Sequence, residues 1–189
     1  MVNKENNNLR ERFHKEITQA YQKEFGVKNK LAVPAPTKVV VNIGVGDEAK
    51  DAGSLEKIQK ALTQITGQKA VFTRAKKSIA GFGVRQGEIV GVKVTLRGQQ
   101  MWDFLDKMIN VVLPRVKDFR GIDPNKFDRA GNYTLSLVEY YVFPEINPVE
   151  IDKPKGVSIA IVFKDSDPKK SRFVMEQLGF VFKKKEARK

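Results

Sequence analysis

The chain has 189 residues, 41% of them hydrophobic, and a formal net charge of +13. That size and apolar content suit one domain with a real core and exclude a disordered basic tail. The absence of cysteine excludes disulfides, thiolate catalysis and sulfur-bound metals, and the single histidine, His14, has no sequence neighbours that would make it a ligand or a base.

In chain order, the first predicted element is an amphipathic helix over residues 8–25. Leu9, Phe13, Ile17, Ala20 and Tyr21 share one face, Asn8 is its N-cap and Gly26 its stop. A connector with Pro34 and Pro36 leads to a strand over Lys38–Val45. Val39, Val41, Ile43 and Val45 point one way there, and Val40, Asn42 and Gly44 the other. Ser54 is the expected cap of a helix carrying Leu55, Ile58, Leu62 and Ile65 and ending at Gly67. A strand over about 70–75 follows, then the loop Ala80–Gly87, then a strand over 88–97. In that third strand Val90, Val92, Val94 and Leu96 alternate with Ile89, Gly91, Lys93, Thr95 and Arg97. A helix with Met101, Phe104, Leu105, Met108, Ile109 and Val112 on one side is expected to stop at Pro114. The pattern breaks up over about 113–133 and strands resume over about 133–142. Val157–Phe163 alternates again, and Asp165-Ser-Asp-Pro168 opens a last helix that ends at Gly179. The order predicts an α+β fold: a mainly antiparallel sheet with helices packed on one face, an elaboration of the ferredoxin-like, split β-α-β arrangement. One sheet face is then left free. The whole of 1–189 reads as a single domain ending in a basic tail at 183–189.

No apolar run reaches the roughly 18 residues that span a bilayer, and the polar start lacks the core of a signal peptide. A soluble, cytoplasmic protein with no membrane partner is expected. The charge is uneven: residues 51–100 carry +6 and residues 101–150 carry −2. Between Lys69 and Arg97, seven basic residues face one acid, Glu88. Solubility faces usually mix both signs, so this block reads as a surface for a polyanion.

Gly44-Val-Gly46 after a strand is reminiscent of a dinucleotide-binding turn. Its helix starts too late, and the next strand carries Arg74, Lys76 and Lys77 where an acidic residue should stand. The loop Gly81–Gly87 lacks the Lys-Ser/Thr ending of a P-loop. It reads either as a flexible hairpin tip or as a backbone-rich finger that approaches phosphates. Asp103 and Asp106 share a helix without a histidine or lysine cluster, so they make no acid–base pair. No catalytic residue, metal or cofactor is expected. Asn42, Thr95 and Arg97 share strand parity opposite the apolar residues. Amide, hydroxyl and guanidinium groups on a flat face can read RNA, though by parity alone polar decoration of an exposed sheet fits equally well.

Several motifs in fixed order carry a resemblance. They are Thr66-Gly-Gln-Lys69, Arg74-Ala-Lys-Lys-Ser-Ile-Ala-Gly-Phe82, Gly91-Val-Lys-Val-Thr-Leu-Arg-Gly98, Leu113-Pro-Arg-Val-Lys-Asp-Phe-Arg-Gly121, Gly131-Asn-Tyr133 and Val142-Phe-Pro-Glu-Ile146. Together they resemble the bacterial L-five family of the large ribosomal subunit, from about Leu9 to Phe182. The resemblance implies a structural role in the central protuberance, beside large-subunit ribosomal RNA. It implies binding of 5S ribosomal RNA through Asn42, Gln68, Thr95 and Arg97. It also implies that a loop with Arg74, Lys76, Lys77, Ser78, Gly81, Phe82 and Arg85 contacts peptidyl-site transfer RNA. The region 113–133 would contribute to an intersubunit bridge with small-subunit ribosomal protein thirteen. The chain departs from the family at Gly83, where a lysine is common, and at Ala70 and Val92.

Overall fold

A computed structural model describes residues 9–46, 51–146, 155–164 and 166–183. The expected N-cap Asn8, Asp165 at the opening of the last helix and tail residues 184–189 lie outside them. Five strands form one sheet in the order β2-β3-β1-β5-β4: β1 (Pro36–Gly44), β2 (Val71–Arg74), β3 (Ile89–Leu96), β4 (Tyr133–Leu137) and β5 (Val157–Phe163). β3 runs antiparallel to both β1 and β2. Ala35 accepts from the Lys164 amide, and Val45 accepts from Lys155 Nζ, so β1 and β5 also run in opposite directions. Helix α3 (Ala52–Thr66) joins β1 to β2, and β3 lies between those strands: this is the split β-α-β unit. The α+β expectation holds.

Alternation of side chains decides which sheet face is buried. In β1, Val39, Val41 and Ile43 are fully enclosed, while Val40 and Asn42 are half-buried and Gly44 is exposed. In β3, Val92, Val94 and Leu96 are enclosed and Lys93 is exposed. Val90 is the exception to the expected parity, since it is exposed near the start of its strand. β4 and β5 repeat the pattern, with Ser136 and Ser158 outward.

The chain divides into two compact units. One is drawn from Val39–Leu96 and Leu135–Ala160 and holds most of the sheet. In it, α3 packs on β3 through an apolar stripe of Leu55, Ile58, Leu62 and Ile65. Its N-cap is Asp51 rather than Ser54. Asp51 accepts from the amides of Gly53 and Ser54 and from the Ser54 hydroxyl, at 3.0, 3.3 and 2.6 Å. A carboxylate satisfies two orphan amides at once, which the shorter serine side chain cannot do. The Ser54 hydroxyl, more than any other group, holds the Asp51 carboxyl below its usual range.

The other unit is drawn from Met1–Lys38, Arg97–Thr134 and Ile161–Lys189. The first helix is α1 (Leu9–Arg12), a π-helical turn over Phe13–Ile17 and α2 (Thr18–Phe25), ended by Gly26 in the left-handed region. α4 (Gly98–Lys107) continues through a second π turn into α5 (Leu113–Arg115). The expected stop at Pro114 is therefore corrected. The helix runs one residue past Pro114, which brings it no amide, and ends at Arg115 before Val116 turns extended at ψ 124°. α1 packs on α4, and the Phe13 and Trp102 rings lie 5.3 Å apart. α6 (Pro168–Leu178) packs on the first π turn, and Phe173 meets Tyr21 and Phe25 edge-on.

Asp167 caps α6 by accepting from the Lys170 amide at 2.9 Å, and this bond leads the causes that hold its carboxyl below the usual range. Asp167→Ala is expected to cost about 1 kcal/mol at neutral pH. A carboxyl depressed in the folded state stabilises above its unfolded pKa of about 3.9 and ceases to do so as pH falls through its folded value. Urea denaturation should therefore show the gap between variant and wild type closing in acid.

Candidate nucleic-acid interface

The strand register builds the open face row by row. Val40 pairs with Thr95; Asn42 pairs with Lys93, which pairs in turn with Val71; Gly44 pairs with Gly91, which pairs with Thr73. These residues share one face because side chains in a strand alternate. Asn42 and Thr95 are half-buried, and among the described residues neither side chain has a hydrogen-bond partner. Gln68 sits in the turn between α3 and β2. Its Nε2 donates to the Thr95 carbonyl at 3.4 Å, which ties the turn to this part of β3. The geometry thus brings Asn42, Gln68 and Thr95 together in one unit. Arg97 is exposed, directly after β3, and is the N-cap residue of α4 in the other unit.

Sequence reasoning put Lys93 on this face by parity but left it out of the binding set, and it missed Thr73 and Val71 altogether. Lys93 had the right parity and adds a cation beside Asn42. Thr73 and Val71 needed the β2–β3 register, which an irregularity after Thr73 makes hard to extrapolate. Val71 is 60% exposed, so the face combines amide, hydroxyl, ammonium and apolar groups.

Beyond β2 and β3 the chain forms a finger. The amide of Ala75 donates to Glu88 O at 2.8 Å and that of Gly87 to Ala75 O at 3.0 Å. Further out, Ile79 and Val84 form a bridge, and Ala80–Phe82 makes a 3-10 turn that closes at Gly83 with φ +62°. Arg74 is tied back through its guanidinium to the Gly87 carbonyl, and the Ser78 hydroxyl accepts from the Gln86 amide. This hydrogen bonding favours the structured finger over a flexible tip. Lys76, Lys77 and Arg85 are exposed, as is Gly81, and Phe82 at the tip is 80% exposed. An unsheltered phenylalanine among cations is a surface that can stack on a base while the charges meet phosphates.

The alternative sites do less. Gly46 has φ +54°, but α3 starts only at Ala52, well after the glycines. Asp103 and Asp106 accept from Gln99 and Asn110 one helical turn away. His14 is exposed and lies edge-on to Phe13.

Residues 29–85 match the family of ribosomal protein L5, and residues 89–182 match the C-terminal region of the same ribosomal family. The chain is 48% identical over 176 residues to the large ribosomal subunit protein uL5 of Fervidobacterium nodosum, covering 93% of this chain and 96% of the relative. It is equally similar, at 48% over 176 residues, to the protein of the same name from a Thermoanaerobacter species, with 93% and 98% covered.

Proposed function

The chain belongs to the ribosomal protein L5 family, and from that premise we propose that its open sheet face binds 5S ribosomal RNA. The family is structural rather than enzymatic, and its members are constituents of the large ribosomal subunit. The observation that carries the reading is the convergence of Asn42, Gln68 and Thr95, with Lys93 added by register, on a face that no described side chain covers with a hydrogen bond to Asn42 or Thr95. Lys93 and Arg97 supply salt-sensitive attraction, and the amides and hydroxyl supply discrimination. Large-subunit ribosomal RNA is the wider surface on which the chain sits in the central protuberance, in the cytoplasm.

The finger, with Arg74, Lys76, Lys77, Ser78, Gly81, Phe82 and Arg85, contacts peptidyl-site transfer RNA in this reading. Its reach, exposed tip and bare cations support the assignment. The region 113–133 contributes to an intersubunit bridge with small-subunit ribosomal protein thirteen. The family resemblance alone carries this assignment, since the segment itself holds five basic and three acidic residues, a net +2. Among the described residues no helix is long and apolar enough to cross a membrane.

Filter binding with 5S ribosomal RNA and an unrelated hairpin of equal length tests the central assignment. Asn42→Ala is expected to cost about 1–3 kcal/mol with 5S ribosomal RNA, by leaving an RNA group unpaired in a desolvated interface, and little with the hairpin. Equal affinity of the wild-type protein for both RNAs would exclude specific recognition by this face.

A further inference from the structure

Two glycines lie opposite each other on the open face, Gly44 in β1 and Gly91 in β3, and the fold requires only one of them. A methyl group at Gly91 would stand 3.0 Å from the Ile43 carbonyl oxygen, 3.0 Å from Thr73 Oγ1 and 3.4 Å from Asn42 Oδ1. The missing side chain at Gly91 is what lets the Thr73 hydroxyl and the Asn42 amide close over the sheet from either side. Gly91 is thus a glycine that the packing of the sheet itself accounts for.

Gly44 is different. A methyl group there would meet no described atom within 4 Å, and its φ lies outside the left-handed region that favours glycine. Glycine weakens a strand, because it loses more backbone freedom than other residues and offers nothing to pack. Neither a turn nor a close neighbour within the described chain accounts for it. A strand glycine without such a cause is often a site where a ligand comes close to the backbone, and Gly44 is the last residue of β1. Gly44 is two residues from Asn42, on the same face and the same strand, and it is exposed.

We infer that Gly44 is a specificity-determining residue of the RNA face, where the ribose-phosphate backbone of the bound RNA lies directly against the main chain of β1. The inference rests on the reading of the open face as the 5S ribosomal RNA site. Asn42 then reads the RNA from a fixed height above the sheet. A side chain at Gly44 would lift the RNA off that amide, without disturbing the protein.

The test uses full-length protein with Gly44→Val, Gly44→Ala and Asn42→Ala, measuring thermal midpoint and filter binding to 5S ribosomal RNA and an unrelated hairpin. Gly44→Val is expected to melt no lower than wild type, to lose at least tenfold in affinity for 5S ribosomal RNA, and to bind the hairpin unchanged. Gly44→Ala should show a smaller loss of about threefold. Wild-type affinity in Gly44→Val alongside a loss in Asn42→Ala would overturn the inference and leave the site where it is. Wild-type affinity in all three variants would overturn both. If Gly44→Val melts early, Gly44→Ala decides: reduced 5S ribosomal RNA affinity at an unchanged midpoint supports the inference, and wild-type affinity overturns it.

Discussion

Gly121→Ala is expected to destabilise the protein by roughly 3 kcal/mol, far more than alanine at most other glycines of the chain. Gly121 has φ +106°, and a methyl group there would stand 2.7 Å from both the Lys183 amide nitrogen and the Phe182 carbonyl carbon, and 2.9 Å from the Val181 carbonyl oxygen. All three are main-chain atoms, so no side chain can swing aside. They also belong to a short pairing. Ile122 donates to Val181 O at 2.8 Å, and Lys183 donates to Ile122 O at 2.9 Å. Pushing these segments apart would break both bonds and pull Phe182 away from the Phe127 and Tyr133 rings, 5.9 and 6.0 Å distant. Tyr133 anchors the same cluster by donating its buried hydroxyl to Asp123 O at 2.9 Å. Gly67→Ala is the control. Its φ is +69° with no described atom within 4 Å of a methyl group, so only backbone strain of about 1 kcal/mol applies. Urea denaturation of both variants decides, and equal losses would refute crowding as the cause.

Gly121 also shows where the sequence stops being legible. Strong alternation in β1, β3 and β5 marks their buried faces directly, because each pairs enclosed branched residues with polar or small ones. Three- and four-residue spacing does the same for α3 and α4. Asn42, Thr95 and Lys93 could be placed on one face from parity alone. What parity cannot supply is contact between segments distant in sequence. Residues 116–132 contain no helix or strand, yet they are held by the pairing with 181–183 and by Asp128, which accepts from the Asn132 amide and side chain at 2.8 Å. Asn132 in turn accepts from the Phe163 amide at 3.1 Å. Loops that fold on tertiary bonds leave no periodic mark in composition. The same limit hid Thr73, whose place beside Asn42 depends on a strand register. It also misassigned the α3 cap, since Ser54 is a good cap by type but Asp51 sits one turn earlier with two usable oxygens.

The finger should separate into two energies when its charges and its aromatic tip are removed in turn. Lys76, Lys77 and Arg85 are exposed, and their side chains have no hydrogen-bond or ion-pair partner among the described residues. In the proposed contact with transfer RNA, their attraction would come mainly from release of counterions. Replacing all three by glutamine is expected to flatten the dependence of log affinity on log salt by roughly 2 to 3, at about 0.7–0.9 for each phosphate no longer neutralised. The effect should shrink as salt rises. Phe82→Ala removes a stacking surface instead, and should cost about 1–3 kcal/mol at every salt concentration. Neither change disturbs the finger's frame, because Ile79–Val84 pairing and the Ala75–Glu88 and Gly87–Ala75 bonds are made by the main chain. Gly83 adds a constraint of its own. A lysine there would add a fourth charge, but at φ +62° it would also strain the turn that presents Phe82. Charge at this tip therefore competes with the backbone shape that exposes the ring. Filter binding of transfer RNA to ribosomes carrying each variant, over a salt series, measures both effects. Parallel salt lines for wild type and the triple variant would show that the cations meet no phosphate, and an unchanged intercept for Phe82→Ala would show that the ring stacks on nothing.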